Sequence, residues 1–558
     1  MQHSRSKLAL IPVQESVSEA RCGMGVGLVR FLNTHAAGLA LALLLAAPAV
    51  LAQENGTVTA LRTSDADRYD PQRTTTLAAA EILYMVGETL VTLDRDLKTI
   101  RPGLAERWEI SADSRTYTFH LRRDVSFCDA KPFTAKAVVG TVERWLNPDF
   151  PGVSKWKAGK VESVRALDDY TVEYRLKEPY SELLYQMTQF NFVIIDPDQA
   201  AALKDNFGIS AFNGTGPFCF QSWKPRTETV LTRHEAYRWG PAFMANAGPA
   251  GFARFVWKIV PEAATLVAAL QTGEGDLSYS VPAWAVAEVQ ANSKIQLLHP
   301  AVAFRTHYVG MKITRPHLGD RRVREAISLA IDEGAIADTI FFGEAEAANA
   351  YFSKATLDFN PDMKLGAFRY DPARAKALLD EAGWVAGATG VRMKDGKPLS
   401  LNFYGFTGDA NRQMAEAIQG DLRKIGVDLK VELYDATIVW GKLRTQDFDL
   451  YQMNYPYLSA GEAMNLYFLS SNMPTPNRMN WNDPQTDRLI EEGNRATSPE
   501  GRYSAFAQAG AIVHEAVLWK PLVNEKLTVV ARTRLKPFKP HGISGAALYN
   551  GLDLMPAK

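Results

Sequence analysis

The stretch AGLALALLLAAPAVLA at residues 37–52 decides in which compartment this chain folds, and so which cross-links the fold can use. An apolar run from Leu39 to Ala47 follows the cationic Arg30. It closes on small residues, with Val50 and Ala52 at the −3 and −1 places of a signal-peptidase site before Gln53. The run is shorter than the roughly 20 residues that span a bilayer. The polar residues Gln53, Glu54 and Asn55 come next, so the pattern reads as an export signal rather than a transmembrane helix. The residues before Met24 are mixed in charge and too long for the start of such a signal, which makes Met24 the expected start. No cysteine stands at the end of the apolar run, and Cys22 precedes it, so no lipid-attachment site is expected. The expected product is soluble and exported into a bacterial periplasm.

Cleavage after Ala52 leaves 506 of 558 residues, too many for one core, so two or three domains are expected. The chain has 62 basic and 62 acidic residues, and losing the leader leaves it close to neutral. Neither nucleic acid nor an anionic membrane surface is indicated as a partner. No second long apolar run is present. Two cysteines remain, Cys128 and Cys219. In an oxidising compartment an even pair is a candidate disulfide, with two separate buried thiols as the alternative, and spacing does not decide between them.

Strand and helix signals alternate along the chain. TYTFHLRRDV (116–125) places Tyr117, Phe119, Leu121 and Val125 on one face, and TVEYRL (171–176) repeats the alternation. Asp371 and Pro372 predict the N-cap and first turn of a helix with Ala375, Leu378, Leu379 and Ala382 inward and Gly383 at its end. Met414, Ala417, Ile418, Leu422 and Ile425 line a second helix, closed by Gly426 and followed by the strand VDLKVELY. This is the helix–glycine–strand unit of a layered α/β domain. The turn-rich stretches 213–218, 298–308 and 517–526 mark expected chain crossings between domains.

Catalytic signals are weak. His120, His234, His299, His307, His317, His514 and His541 form no HExxH or close pair, and there is no CxxC, Walker loop or GxSxG. No metal or cofactor is expected, and the chain is not expected to be an enzyme. A secreted hydrolase acting in an aromatic-rich cleft stays as the alternative, because a glycosidase needs only two carboxylates.

Five ordered motifs then carry a resemblance. They are the region ETLVTLDRDLKTIRPGLAERWEISADSRTYTFHLRRDVSFCDAKPFTAKAVV (88–139), GTGPF (214–218), ALQTGEGDLSYSVP (269–282), DRRVREAISLAID (320–332) and YDPARAKALLDEAGW (370–384). With these motifs the chain resembles the family 5 extracellular solute-binding proteins, the peptide, opine and nickel receptors of ABC importers. The resemblance implies a periplasmic binding protein-like, two-lobed α/β clamp of type II with an additional small α/β domain. After the leader (1–52), lobe I would comprise 53–95, 211–304 and 525–558, the extra domain 96–210, and lobe II 305–524. The implied task is capture of a small solute, peptide-like, opine or sugar-conjugate, between the lobes. Delivery to permease subunits in the inner membrane would follow, with the receptor a monomer.

The family's peptide receptors carry an aspartate for the peptide amine in the loop FDLYQMNYPYLSAGEAMNLYF (448–468), and Leu458 stands at that place here. The resemblance therefore implies no amine anchor, unless Glu462 substitutes. Tyr455 takes the place of a stacking aromatic, with Asn454 and Tyr457 beside it. Tyr69, Arg73 and Thr75 follow the first strand and are candidates for a carboxylate and hydroxyls. Arg305 and His307 at the entry to lobe II, and Tyr404 and Phe406 at its lip, complete the candidate set.

Overall fold

The computed structural model describes residues 56–302, 305–361, 368–543 and 547–557, apart from the side chains of residues 436, 437 and 455. The expected leader, Met24 and Gln53 lie outside the described residues. Among the described residues no helix is long and apolar enough to cross a membrane.

Three of the five sheets formed by the described residues organise the chain. The first has seven strands in the order Ile295–Leu298, Val529–Arg532, Leu277–Ser278, Thr57–Arg62, Arg254–Ile259, Glu228–Arg233 and Phe218–Lys224. Thr57–Arg62 runs parallel to both its neighbours, and the remaining pairs are antiparallel. The second has six strands in the order Ala345–Ala347, Trp519–Glu525, Arg305–Met311, Leu450–Pro456, Ser400–Phe406 and Asp428–Tyr434. The third is a four-stranded antiparallel sheet, Ala105–Ile110, Thr116–Leu121, Thr171–Leu176 and Val161–Asp168.

Local sequence explains these elements. Tyr117, Phe119 and Leu121 are buried while Thr116, Thr118 and His120 are half-exposed, because side chains alternate faces along a strand. Helix Pro372–Glu381 is capped by the Asp371 carboxylate, which accepts from the Arg374 N–H, and the chain leaves it through Gly383 at φ 84°. Helix Asp409–Lys424 buries Met414, Ile418 and Leu422 against the second sheet.

The apolar residues form a small core around Leu61, Leu266, Leu270 and Val530 and two large ones. One gathers the first and third sheets around Val58, Phe119, Tyr174 and Phe255. The other gathers the second sheet around Trp519, whose ring stacks on Tyr308 at 4.1 Å and meets Phe468 at 4.8 Å. The Cys128–Cys219 pair is bonded, Cα to Cα 5.8 Å, and ties the segment after Thr116–Leu121 to the edge strand Phe218–Lys224 of the first sheet.

Candidate functional site

The described residues 299–302 leave the first sheet towards the second, and 526–528 return. Both crossings border a cavity of about 600 Å³, a size that suits a small organic solute. His299 to Val302 come from the outward crossing, and Asn524, Glu525, Lys526 and Leu527 from the return. The rest of the wall comes from the segment after Ala345–Ala347, with Phe352, Ser353, Lys354 and Phe359. Apolar faces and a few polar heads of both signs converge on it, which is the composition of a binding pocket rather than a packing defect.

Behind one wall lies a bonded charge group. Glu525 accepts from Arg305 at 3.3 Å and meets His307 Nε2 at 3.0 Å. Burial alone would raise its carboxyl, but Arg305 and His307 overcome that and hold it at about 2. Facing them from the first sheet, Arg62 donates to the Ala78 carbonyl, Asp65 and Glu81. Burial pushes Glu81 up to about 8 against the pull of Arg62 and Arg305.

A second polar contact joins the third-sheet region to the second-sheet region. Lys157 meets Glu462 at 3.2 Å, both side chains almost fully buried, and Gln189 donates to the same carboxylate at 3.2 Å. Ser459 donates to Glu182, and Arg502 holds Asp358 at 2.7 Å with Glu182 at 3.9 Å. The Ser181 N–H and hydroxyl donate to the carbonyls of Asn494 and Gly493 at 2.7 and 2.8 Å.

The residues picked out from sequence separate into groups, and none of the nine whose side chains are described lines the cavity described above. Arg305 and His307 stand behind it, committed to Glu525. Tyr69 is fully buried with its hydroxyl between Arg62 and Thr229, so it is a core residue and not a cleft group. Its ring packs on Phe220 and Trp223. Arg73 forms a surface ion pair with Asp205 at 2.7 Å, and Thr75 is exposed. Tyr457 is likewise core: its ring packs on Phe352, Tyr467 and Trp519, and its hydroxyl meets that of Tyr308 at 3.1 Å. Tyr404 is buried against Tyr434 and Phe448, while Phe406 is half-exposed and edge-on to Trp440. Asn454 is half-exposed opposite His307 in the strand register, and Tyr455 pairs with Thr306, its side chain lying outside the described residues.

Leu458 is 2% exposed and packs into the core of the first and third sheets. The Glu462 oxygens are taken by Lys157, Gln189 and the Leu458 N–H. The wall residues Phe352, Ser353, Lys354 and Phe359 carry no motif or periodicity. Asn524, Glu525 and Lys526 lie at the end of the turn-rich stretch 517–526, the one sequence signal that points to them.

Among the described residues, Cys128, Cys219 and His234 form a group compact enough to hold a metal ion, with ligand atoms within 4.8 Å of one another. The two sulfurs are joined to each other, so neither offers a thiolate, and His234 Nδ1 bonds the Gly216 carbonyl at 3.0 Å. No metal chemistry follows from it.

A pH prediction follows from Glu88. Burial raises its carboxyl to about 7 even though Tyr237 and Trp239 each donate to it at 2.7 Å. Unfolded, it ionises near its ordinary value of 4.5. Between those values the native state holds the extra proton, so this group's contribution to stability falls as pH rises. Relative to a Glu88→Gln variant, the wild type should lose roughly 2 kcal/mol between about pH 5 and pH 7. Denaturant midpoints across that range measure it, and parallel curves for the two proteins would contradict it.

The sequence model of the bacterial extracellular solute-binding proteins, family 5 (middle region), matches residues 99–475. The chain is 27% identical over 477 residues to the nickel-binding periplasmic protein of Escherichia coli K12, covering 82% of this chain and 87% of that protein. It is 28% identical over 520 residues to the glutathione-binding protein GsiB of Salmonella choleraesuis, covering 90% and 95%. Among solved structures, the oligopeptide-binding protein AppA of Bacillus subtilis, in complex with a nonapeptide, superposes with a TM-score of 0.79 at 22% identity, covering 90% of this chain and 99% of that one. The architecture is the mixed α/β clamp of periplasmic binding proteins.

Proposed function

This chain belongs to the bacterial extracellular solute-binding proteins, family 5, and on that premise we propose that its solute is a small peptide-like molecule, opine or sugar-conjugate not held by a free α-amine. The family consists of receptors that capture a small solute and pass it to the permease of an ABC transporter, and they are not enzymes. Such a receptor works by differential affinity: the solute must favour the closed arrangement of the lobes over the open one. The relatives' names record nickel and glutathione, and AppA holds a nonapeptide, so kinship alone does not choose the ligand.

One observation carries the choice. The place where the family's peptide receptors keep an aspartate is occupied by Leu458, buried in apolar surroundings, and the nearby Glu462 is already bonded to Lys157. An ammonium brought there would lie unpaired, at a cost of several kcal/mol. The mixed wall of the hinge cavity, with Lys354, Lys526, Asn524 and Ser353 beside Phe352 and Phe359, suits a solute with hydroxyl or carboxylate groups and an apolar part. On this reading lobe I comprises 53–95, 211–304 and 525–558, the extra domain 96–210 and lobe II 305–524. The receptor acts as a monomer, free in the periplasm.

Calorimetry with a mixed peptide library and its N-acetylated counterpart tests the choice. Acetylation should make no difference to whatever binding is seen. Micromolar or tighter binding of a free-amine peptide that acetylation abolishes would show that another group supplies the anchor.

A further inference from the structure

Arg478 is 6% exposed, and its Nε and Nη1 are sealed from solvent with no hydrogen-bond partner. Rings rather than carboxylates surround it. Its guanidinium lies 5.3 Å from the centre of the Trp440 ring and 6.0 Å from that of Tyr451, and its charge acts on Tyr467 and Tyr308. A buried cation with two idle donors is expensive to keep, and ring faces only partly offset the cost. The surroundings are open on one side. Trp440 is 45% exposed, and Phe406 meets it edge-on at 5.7 Å at the end of strand Ser400–Phe406. That end of the sheet is also where strand Arg305–Met311 begins and Leu450–Pro456 finishes, beside the crossings that border the hinge cavity. The backbone beside Arg478 pairs just beyond the other end of strand Arg305–Met311, the Met479 carbonyl accepting from the Ile313 N–H at 3.0 Å.

We infer that Arg478 and Trp440 form a carboxylate subsite, in which the guanidinium Nη1 donates to the carboxylate of a solute and the indole supports the flat apolar part next to it. The inference rests on the reading of this chain as a solute receptor and narrows the solute to a carboxylic acid. The pair is a single charge-assisted bond, because Nε and Nη1 do not share one edge of the guanidinium. Entry requires the Trp440 side chain to swing on a surface where it is already half in water.

Benzoate and its neutral counterpart benzamide are the probes, followed by tryptophan fluorescence on the full mature chain. Benzoate should bind saturably and benzamide should not. Arg478→Met should weaken benzoate at least about tenfold, the scale of a lost charge-assisted pair, with Arg478→Lys between the two. Trp440→Ala, at a surface position that leaves the core intact, should weaken it several-fold. Benzoate binding by Arg478→Met or Trp440→Ala at wild-type strength would overturn the subsite, as would a wild type indifferent to benzoate. The receptor reading is judged separately: solute binding that depends on Lys526 but not on Arg478 would leave it standing and remove the subsite alone.

Discussion

Replacing Lys157 with methionine should destabilise the closed arrangement of the lobes by roughly 3–5 kcal/mol, the cost of stranding a buried carboxylate without its partner. Lys157 and Glu462 are 3% and 1% exposed and 305 residues apart in sequence. With the ammonium gone, Glu462 keeps only Gln189 and the Leu458 N–H. Opening the lobes hydrates the stranded carboxylate, so the loss should be read first as a larger radius of gyration of the free protein in solution scattering. A double variant, Lys157→Met with Glu462→Leu, should recover most of the compactness, because no charge is left buried. A single variant as compact as the wild type, with an unchanged denaturant midpoint, would show that the pair contributes nothing.

Removing the disulfide should cost about 3–4 kcal/mol. The bond closes a loop of 91 residues, for which loop-closure entropy sets an upper figure of between 4 and 5 kcal/mol, and relaxation of the freed chain returns part of it. The bond also joins the third-sheet region to the edge of the first sheet, so its loss should loosen that docking before the second sheet melts. Cys128→Ser/Cys219→Ser should therefore shift the denaturant midpoint downward in the absence of reductant. Thiol titration of the unfolded, unreduced mature protein, which lacks Cys22, should find no free thiol. Two free thiols, or a double variant as stable as the wild type, would contradict the pairing.

What could be read from the sequence was local. The Asp371–Pro372 start and Gly383 stop of one helix, the inward Met414, Ile418 and Leu422 of another, and the alternation in 116–121 and 171–176 all appear in the structure, because each depends on neighbours within a few residues. The ordered motifs carried the family. The site was much less legible. Whether Tyr69 is core or cleft depends on Thr229, 160 residues away, and Tyr457 differs from a ligand-lining tyrosine only through Tyr308, 149 residues away. An aromatic side chain has the same sequence signature in either place. The fate of Glu462 was hidden in the same way, since its partner lies on another sheet region. The cavity wall at 352–359 has neither period nor motif, and only the turn-rich crossing at 517–526 pointed near it. Arg478 gave no signal at all, because an arginine lacking a carboxylate looks like any other until its surroundings are known.

On the proposed function, a solute is captured where the chain crosses between the two large sheets, without an amine anchor at Leu458. The crystal structure of the protein with its solute, identified by thermal-shift screening, tests this most directly. A ligand present at 100 times its Kd should stabilise the protein by about 2.7 kcal/mol, enough for such a screen to detect. The predicted result is ligand density in the hinge cavity, against Phe352 and within hydrogen-bond reach of Asn524 or Lys526, with Lys157 and Glu462 still paired. A ligand ammonium bonded to Glu462, with that pair broken, or a ligand seated away from both crossings, would contradict it.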